Sequence, residues 1–175
     1  FYGMLAYHYS SAEAPDKAEI YLIKAGEEAL KWAMAIGGLN AELSSLGFPN
    51  ILGGFTKAPF DTIGDTLRGT NGIIMDMYRQ PDKLLKALEV ITPIMIGMGL
   101  GSAQQTGNPV IFMPLHKGAD GFMSDEQFKT FYWPTLKAVI EGLIEGGCIP
   151  FIAAEGGYNS RLEVIGDIPK GKTIW

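Results

Sequence analysis

Three short segments of the sequence carry side chains that could exchange protons or bind charged groups. They read TKAPFDTIGDTLRG, PLHKGADGF and AEGGYNSR, and each lies at or just beyond the end of a predicted strand. Carboxylates beside histidine and tyrosine can act in general acid–base catalysis, and lysine or arginine can hold an acidic substrate. The candidate residues are Asp61, Asp65, Arg68, His116, Lys117, Asp120, Glu155, Tyr158 and Arg161.

Glu155 is the clearest of these candidates because of its position in the sequence. The apolar run IPFIAA leads directly into Glu155, and Gly156 and Gly157 follow. A carboxylate that ends a buried strand is costly unless it is paired, protonated or bound to a metal. The two glycines would let the backbone pass close to a bound molecule. An ion pair with Arg161 or Lys117 would instead make Glu155 a structural residue.

The other candidates also have structural alternatives. Asp61 and Asp65 follow a proline and could equally cap a short helix. Arg68 precedes a glycine and could be a surface charge at a helix end. His116 could be hydrogen-bonded to a loop as readily as it could be catalytic, and Tyr158 could simply pack on the rim of a pocket.

A complete metal site is not predicted from this sequence. It contains neither a Cys-x-x-Cys nor a His-x-x-x-His pair, and Cys148 is its single cysteine. Glu155 or His116 could still bind a metal together with ligands from elsewhere. The absence of GxSxG, GxGxxG and GxxxxGK[ST] after a strand argues against a standard hydrolase and against a nucleotide-binding fold.

Helical patterns fill the first quarter of the chain. Apolar positions between Pro15 and Ile36 predict a helix that Gly37 and Gly38 end, and a short second helix follows over about 41–46.

Further along, the segment DKLLKALEVITPIMIGMGLGSAQQTG predicts a long helix that Pro93 should kink. In the segment SDEQFKTFYWPTLKAVIEGLIEGG, Ser124 and Gln127 have the spacing of a capping box, and Pro134 should bend the helix.

Four apolar stretches between these helices read as strands: NILGGF, PVIFMPL, IPFIAAEGG and KTIW. Strands separated by helices pair in parallel, and strands without polar alternation are covered on both faces. The sequence therefore predicts an α/β fold, either an open doubly wound sheet or a (β/α)8 barrel. Four such units are about half of a barrel of ~250 residues, so the chain is expected to be a single partial domain over 1–175 from a longer protein.

Composition limits the possible partners. The 175 residues are 47% hydrophobic and 19% charged, and the net charge is −5 without a long basic run, so nucleic-acid binding is not expected. One cysteine and no secretory leader pattern favour a reducing, cytoplasmic location. The longest apolar run, VITPIMIGMGLGSA, is predicted to be too short and too interrupted by glycine and proline for a membrane span.

Three longer segments resemble the uroporphyrinogen decarboxylase family. They are GGFTKAPFDTIGDTLRGTNG, PLHKGADGFMSDEQFKTFYWPTLKAVIEGLIEGG and IPFIAAEGGYNSRLEVIGDIPKGK, which together include most of the chain from about Gly53 onward. The resemblance implies a (β/α)8 TIM barrel. It also implies either a lyase of porphyrin biosynthesis that decarboxylates acetate side chains of a tetrapyrrole, or a zinc-dependent methyltransferase that works with a corrinoid protein and a thiol.

The decarboxylase branch needs no cofactor. Such an enzyme must stabilise a positively charged pyrrole-like intermediate and then deliver a proton. Glu155 or Asp61 could provide the first function, and His116 or Tyr158 the second. The predicted substrate-binding residues are Phe60, Arg68, Lys117 and Arg161.

The methyltransferase branch places zinc ligands in a His-x-Cys element at the strand end, where this chain reads Ala153-Ala154-Glu155. Glu155 could remain an oxygen ligand, but a thiolate-rich zinc site is not supported. A third alternative is a non-catalytic half-barrel, which would leave strand edges open and could form homo-oligomers.

Overall fold

The computed structural model describes residues 15–175, which form two compact units divided after Asn50. Within the first unit, helix α1 runs from Pro15 to Ser45 without a break. The predicted stop at Gly37 and Gly38, and the separate helix over 41–46, are therefore wrong. Glycine inside a helix costs only about 1 kcal/mol, and the helix-forming residues around Ala41 outweigh that cost. The large apolar side chains of α1 are mostly exposed, Trp32 and Met34 among them.

The second unit contains three parallel strands: β1 (Gly54–Phe55), β2 (Val110–Leu115) and β3 (Ile149–Ala154). They lie in the order β1-β2-β3, so each strand is added beside the previous one. The predicted fourth strand is reduced to a single parallel bridge between Ile174 and Phe151. The parallel α/β arrangement expected from the sequence is confirmed.

Helices connect these strands, and two of them are interrupted by π-helical turns. After β1 come α2 (Pro59–Thr62), a π-helical turn (Ile63–Leu67), α3 (Gly69–Arg79) and α4 (Pro81–Thr106). After β2 come α5 (Asp125–Gln127), a second π-helical turn (Phe128–Tyr132) and α6 (Trp133–Glu145). After β3 come a 3₁₀ turn (Asn159–Arg161) and α7 (Leu162–Ile165).

The predicted capping box and the two helical prolines lie at α5, in α4 and in α6. Ser124 and Gln127 form the predicted capping box, with both reciprocal hydrogen bonds in place. Helix α4 continues through Pro93. Pro134 is the second residue of α6, and the second π-helical turn directly precedes that helix.

Helix α4, whose apolar run was predicted to be too short and too interrupted for a membrane span, is by length and composition alone long and apolar enough to cross a membrane. Its residues Leu84, Leu88, Met95 and Gly99 are buried within the second unit. A methyl group added at Gly99 would lie 2.6 Å from a methyl carbon of Leu143 on α6, so the two helices pack in close contact.

The hydrophobic core lies between the sheet and the helices α4 and α6. Alternate residues of β2, namely Ile111, Met113 and Leu115, are completely buried, and Ile152 of β3 joins them. The helices contribute Leu88, Met95, Leu136, Val139, Ile140 and Leu143.

The opposite side of the sheet carries a row of apolar side chains at one level. Phe55 pairs with Phe112, Phe112 with Phe151, and Phe151 with Ile174. Phe55 is 44% exposed and Ile174 is 47% exposed. The expectation that both faces of the sheet are covered is therefore wrong for the part of the chain that the structure describes.

Candidate active site

His116 lies at the centre of a polar cluster at the carboxyl ends of the strands. It directly follows β2, and its Nδ1 atom is 2.7 Å from Oδ2 of Asp65. Its Nε2 atom is 3.5 Å from Oε1 of Glu155, which follows β3. Its backbone N–H donates to Oδ2 of Asp61 at 3.0 Å. The structure thus brings together candidate residues from all three segments, with the imidazole of His116 between the carboxylates of Asp65 and Glu155.

Asp65 is held in this cluster by the first π-helical turn. Besides His116, its carboxylate pairs with the ammonium groups of Lys57 and Lys117. Burial acts to raise the pKa of Asp65, but the hydrogen bonds from Lys117, Lys57 and His116 outweigh it and hold that pKa well below 3.8. Asp65 is therefore ionised at neutral pH and can fix the orientation of the imidazole.

Asp61 is completely buried and anchors the backbone beneath the histidine. Its two carboxylate oxygens accept hydrogen bonds from the backbone N–H groups of His116 and Lys117, at 3.0 and 2.9 Å, and from the hydroxyl of Tyr132 at 2.6 Å. Burial raises the pKa of Asp61, and these hydrogen bonds partly oppose the shift. The direct contact with substrate considered for Asp61 does not fit this burial, so we regard it as a positioning residue.

Replacing Asp65 by asparagine should change how stability depends on pH. Because the pKa of Asp65 is lower in the folded chain than in the unfolded chain, its contribution is present above about pH 3.8 and is lost as the pH falls below that value. The Asp65→Asn variant should lose on the order of 2 kcal/mol of unfolding free energy at neutral pH and show a shallower acid-side decline.

Urea unfolding between neutral and acid pH measures this effect. Asp167→Asn is the matched control, since Asp167 pairs with Lys137 at 2.6 Å but its side chain is 75% exposed. Such a surface pair should contribute less than about 1 kcal/mol. Equal losses of unfolding free energy in Asp65→Asn and Asp167→Asn would contradict the larger contribution expected of Asp65.

Tyr158, a second candidate for proton delivery, is buried rather than on the rim. Its residue is 7% exposed, and its hydroxyl makes no hydrogen bond of ordinary geometry within residues 15–175. Burial raises the pKa of Tyr158 well above 10. The sequence prediction of a catalytic role for Tyr158 therefore does not fit its position, since its proton is neither accessible nor easily released.

Gly118 allows Tyr132 and Tyr158 to approach the loop after β2. A methyl group added at Gly118 would lie 2.6 Å from Cε1 of Tyr132 and 2.9 Å from the hydroxyl of Tyr158. The Gly118→Ala variant should displace Tyr132 from Asp61 and lose about 1–3 kcal/mol of unfolding free energy. Gly121→Ala, in the same loop but with open space around it, should change stability by less than about 0.5 kcal/mol. Thermal unfolding compares the two, and a Gly118 variant as stable as the Gly121 variant would exclude this packing role.

Arg161, predicted to bind substrate, instead joins the loops after β2 and β3 from the inside. It is 1% exposed, and its guanidinium donates to the carbonyl of Met123 at 2.6 Å and pairs with Asp125. It also lies 4.8 Å from the centroid of the Phe128 ring and 3.4 Å from the carbonyl of Gly118. Through these contacts the guanidinium stabilises the two loops instead of binding a substrate.

The three other residues predicted to bind substrate are likewise engaged in contacts within the chain. Phe60 is completely buried and packs against the Tyr132 ring, with centroids 5.7 Å apart. Lys117 is 6% exposed and committed to Asp65. Arg68 pairs with Asp76 through two hydrogen bonds of 2.6 and 2.9 Å. All three side chains therefore have partners within the chain.

Sequence reasoning missed two members of the cluster. Lys57 stands in the first quoted segment, so its position could have been considered. Tyr132 belongs to the second π-helical turn and no local signal relates it to Asp61, which is 71 positions away. The groups left accessible at the centre are the side chains of His116, 33% exposed, and Glu155, 61% exposed.

A zinc site does not fit the described part of the chain. Across residues 15–175, no three His, Cys, Asp or Glu side chains come together as metal ligands would. The strand end that would supply ligands reads Ala153-Ala154-Glu155. Cys148 is buried and precedes β3, so it lies at the other end of the strand from Glu155.

A scan against sequence models of protein families matches residues 17–168 to the family described as Uroporphyrinogen decarboxylase (URO-D). The chain belongs to the uroporphyrinogen decarboxylase family. The match contains all three polar segments and confirms the resemblance seen from about Gly53 onward, and it extends through α1 as well. A search of curated proteins found no match. The parallel β–α units of the second unit agree with the TIM-barrel fold of the uroporphyrinogen decarboxylase family.

Proposed function

We propose that the protein is a decarboxylase acting on acetate side chains of a tetrapyrrole, with His116 as its proton-transfer residue. The observation that carries this proposal is the position of His116, one-third exposed at a strand end, with Asp65 at Nδ1 and Glu155 beside Nε2. A histidine held in this way can present one nitrogen to a substrate while the other is fixed by a carboxylate.

Decarboxylation of a pyrrole acetate requires that the positively charged pyrrole ring be stabilised and that the methylene carbon then receive a proton. As the bond between the methylene carbon and the carboxyl group breaks, carbon dioxide leaves and its electron pair stays with the methylene carbon and the protonated pyrrole. Glu155, the most exposed carboxylate of the cluster, can stabilise the positive ring. The proton that converts the methylene carbon to a methyl group would come from Nε2 of His116, and the ring proton, taken up from solvent before the bond breaks, returns to solvent afterwards.

We further propose that the second unit is part of a (β/α)8 barrel, of which this chain supplies about half. The sequential order β1-β2-β3 and the bridge to Ile174 support a sheet that curves in one direction. The apolar row from Phe55 to Ile174, on the face away from α4 and α6, would point into the interior of such a barrel. A half-barrel that associates with a second copy would enclose the same row.

Turnover of uroporphyrinogen under reducing conditions tests the decarboxylase proposal. The porphyrins formed after oxidation would be separated by chromatography, and products with fewer carboxyl groups are expected. Folded, full-length protein that neither binds the tetrapyrrole nor forms such products would contradict the proposal. Methyl transfer from methylcobalamin to a thiol, lost on zinc removal, would assign the protein to the methyltransferase branch instead.

A further inference from the structure

A cavity separate from the polar cluster around His116 lies in the second unit, beside the first π-helical turn and between α3 and α4. Its volume is about 300 Å³, at the lower end of the range for small-molecule sites. Its walls are largely apolar. Ile63 and Leu84 are almost completely buried, and Leu67 and Ala87 complete the apolar part.

Two cations and one carboxylate also line this cavity. The carboxylate of Asp76 is saturated, since it accepts from Nε and Nη2 of Arg68 and from Nε2 of Gln80 at 2.6 to 2.9 Å. Nη1 of Arg68 makes no contact with an acceptor among residues 15–175, and Lys83 has no ion pair there either. The lining therefore has one net positive charge and unused N–H donors next to an apolar surface.

We propose that this cavity binds a medium-chain carboxylate, with the acyl chain against Ile63 and Leu84 and the carboxylate at Lys83 and Arg68. A single negative charge matches the one net positive charge, and the apolar walls favour a hydrocarbon body over a second polar group. The π-helical turn that supplies Ile63 and Leu67 also carries Asp65, so the bound chain contacts the turn that positions the partner of His116. This site is separate from the proposed decarboxylase chemistry and does not depend on it.

Titration of the full chain with octanoate, followed by calorimetry and by backbone amide NMR shifts, tests the site. Saturable binding is expected, with the largest shifts at Leu67, Lys83 and Ala87. Neutral 1-octanol should bind at least tenfold more weakly, because it cannot pair with the cations. The absence of saturable octanoate binding, or equally tight binding of 1-octanol, would overturn the proposal.

Matched variants distinguish this site from general attraction to a cationic helix. Lys83→Glu should weaken octanoate binding at least tenfold, and an acidic residue near the start of α4 should not harm folding. Lys86→Glu makes the same charge change one turn further along α4, outside the cavity lining, and should weaken binding less than twofold. Ala87→Phe should fill the cavity and abolish binding. Equal effects of the two lysine variants, or octanoate binding to Ala87→Phe as tightly as to the unchanged chain, would refute the site.

Discussion

Uroporphyrinogen decarboxylation should fall about 10²–10⁴-fold when His116 is replaced by glutamine, because the proposed proton donor is lost. The backbone N–H of residue 116 would still donate to Asp61, so the loop after β2 should keep its place. Initial rates of carbon dioxide release measure this change, and circular dichroism checks that the variant is folded.

Companion variants separate proton transfer from support of the loop. Asp65→Asn should lower the rate by a smaller factor, about 10-fold, and alter its pH profile, because the imidazole would keep its place but lose its charged partner. Lys129→Ala, an exposed change outside the cluster, should leave the rate unchanged. A His116→Gln enzyme that keeps its rate within threefold would rule out the proposed role of His116.

The free energy of unfolding should fall by about 2–4 kcal/mol when Arg161 is replaced by alanine. The substitution leaves a cavity beside Phe128 and removes the donor to the carbonyl of Met123. The loops after β2 and β3 would also lose their connection through Asp125. Urea unfolding followed by circular dichroism measures the loss.

The Arg161→Lys variant separates charge from shape at this position, and Arg79→Ala is the control for losing an arginine elsewhere. Arg161→Lys keeps the charge but loses the planar fork of donors, so it should still cost about 1–2 kcal/mol. Arg79→Ala removes an arginine at the end of α3 and should change stability by less than about 0.5 kcal/mol. Arg161→Ala with a stability equal to that of Arg79→Ala would exclude the loop-joining role.

The features predicted well from the sequence are those that depend on neighbouring residues. The runs VIFMPL and IPFIAA are apolar throughout and separated by helical segments, so their place as parallel strands follows from local pattern, although helices α4 and α6 cover only one face of the sheet. The capping box of Ser124 and Gln127 spans only four residues. Because parallel strands end at one edge, the meeting of Asp61, His116 and Glu155 could also be expected.

The features missed depend on distant packing or on small energy differences. The burial of Asp61 requires Tyr132, which reaches it from another helix. Arginine is a residue type that can bind an acidic substrate, so the sequence favoured that role for Arg161. Only the positions of Met123 and Phe128 show that its side chain faces inward. Helix α1 continues through Gly37 and Gly38 because the helix-forming residues beside them offset the free-energy cost of placing glycine in a helix.

The first π-helical turn has a consequence for how relatives of this chain should be aligned. A π-helical turn contains an additional residue, because its hydrogen bonds join residues five apart instead of four. Deleting one residue between Ile63 and Leu67 would restore ordinary helical pitch and leave the residues beyond the deletion on nearly the same helix face, because a π-helical turn takes up its additional residue locally. A one-residue gap at this point of an alignment would therefore mark a homologue that lacks the π-helical turn holding Asp65 beside His116, while the helix that follows keeps its register.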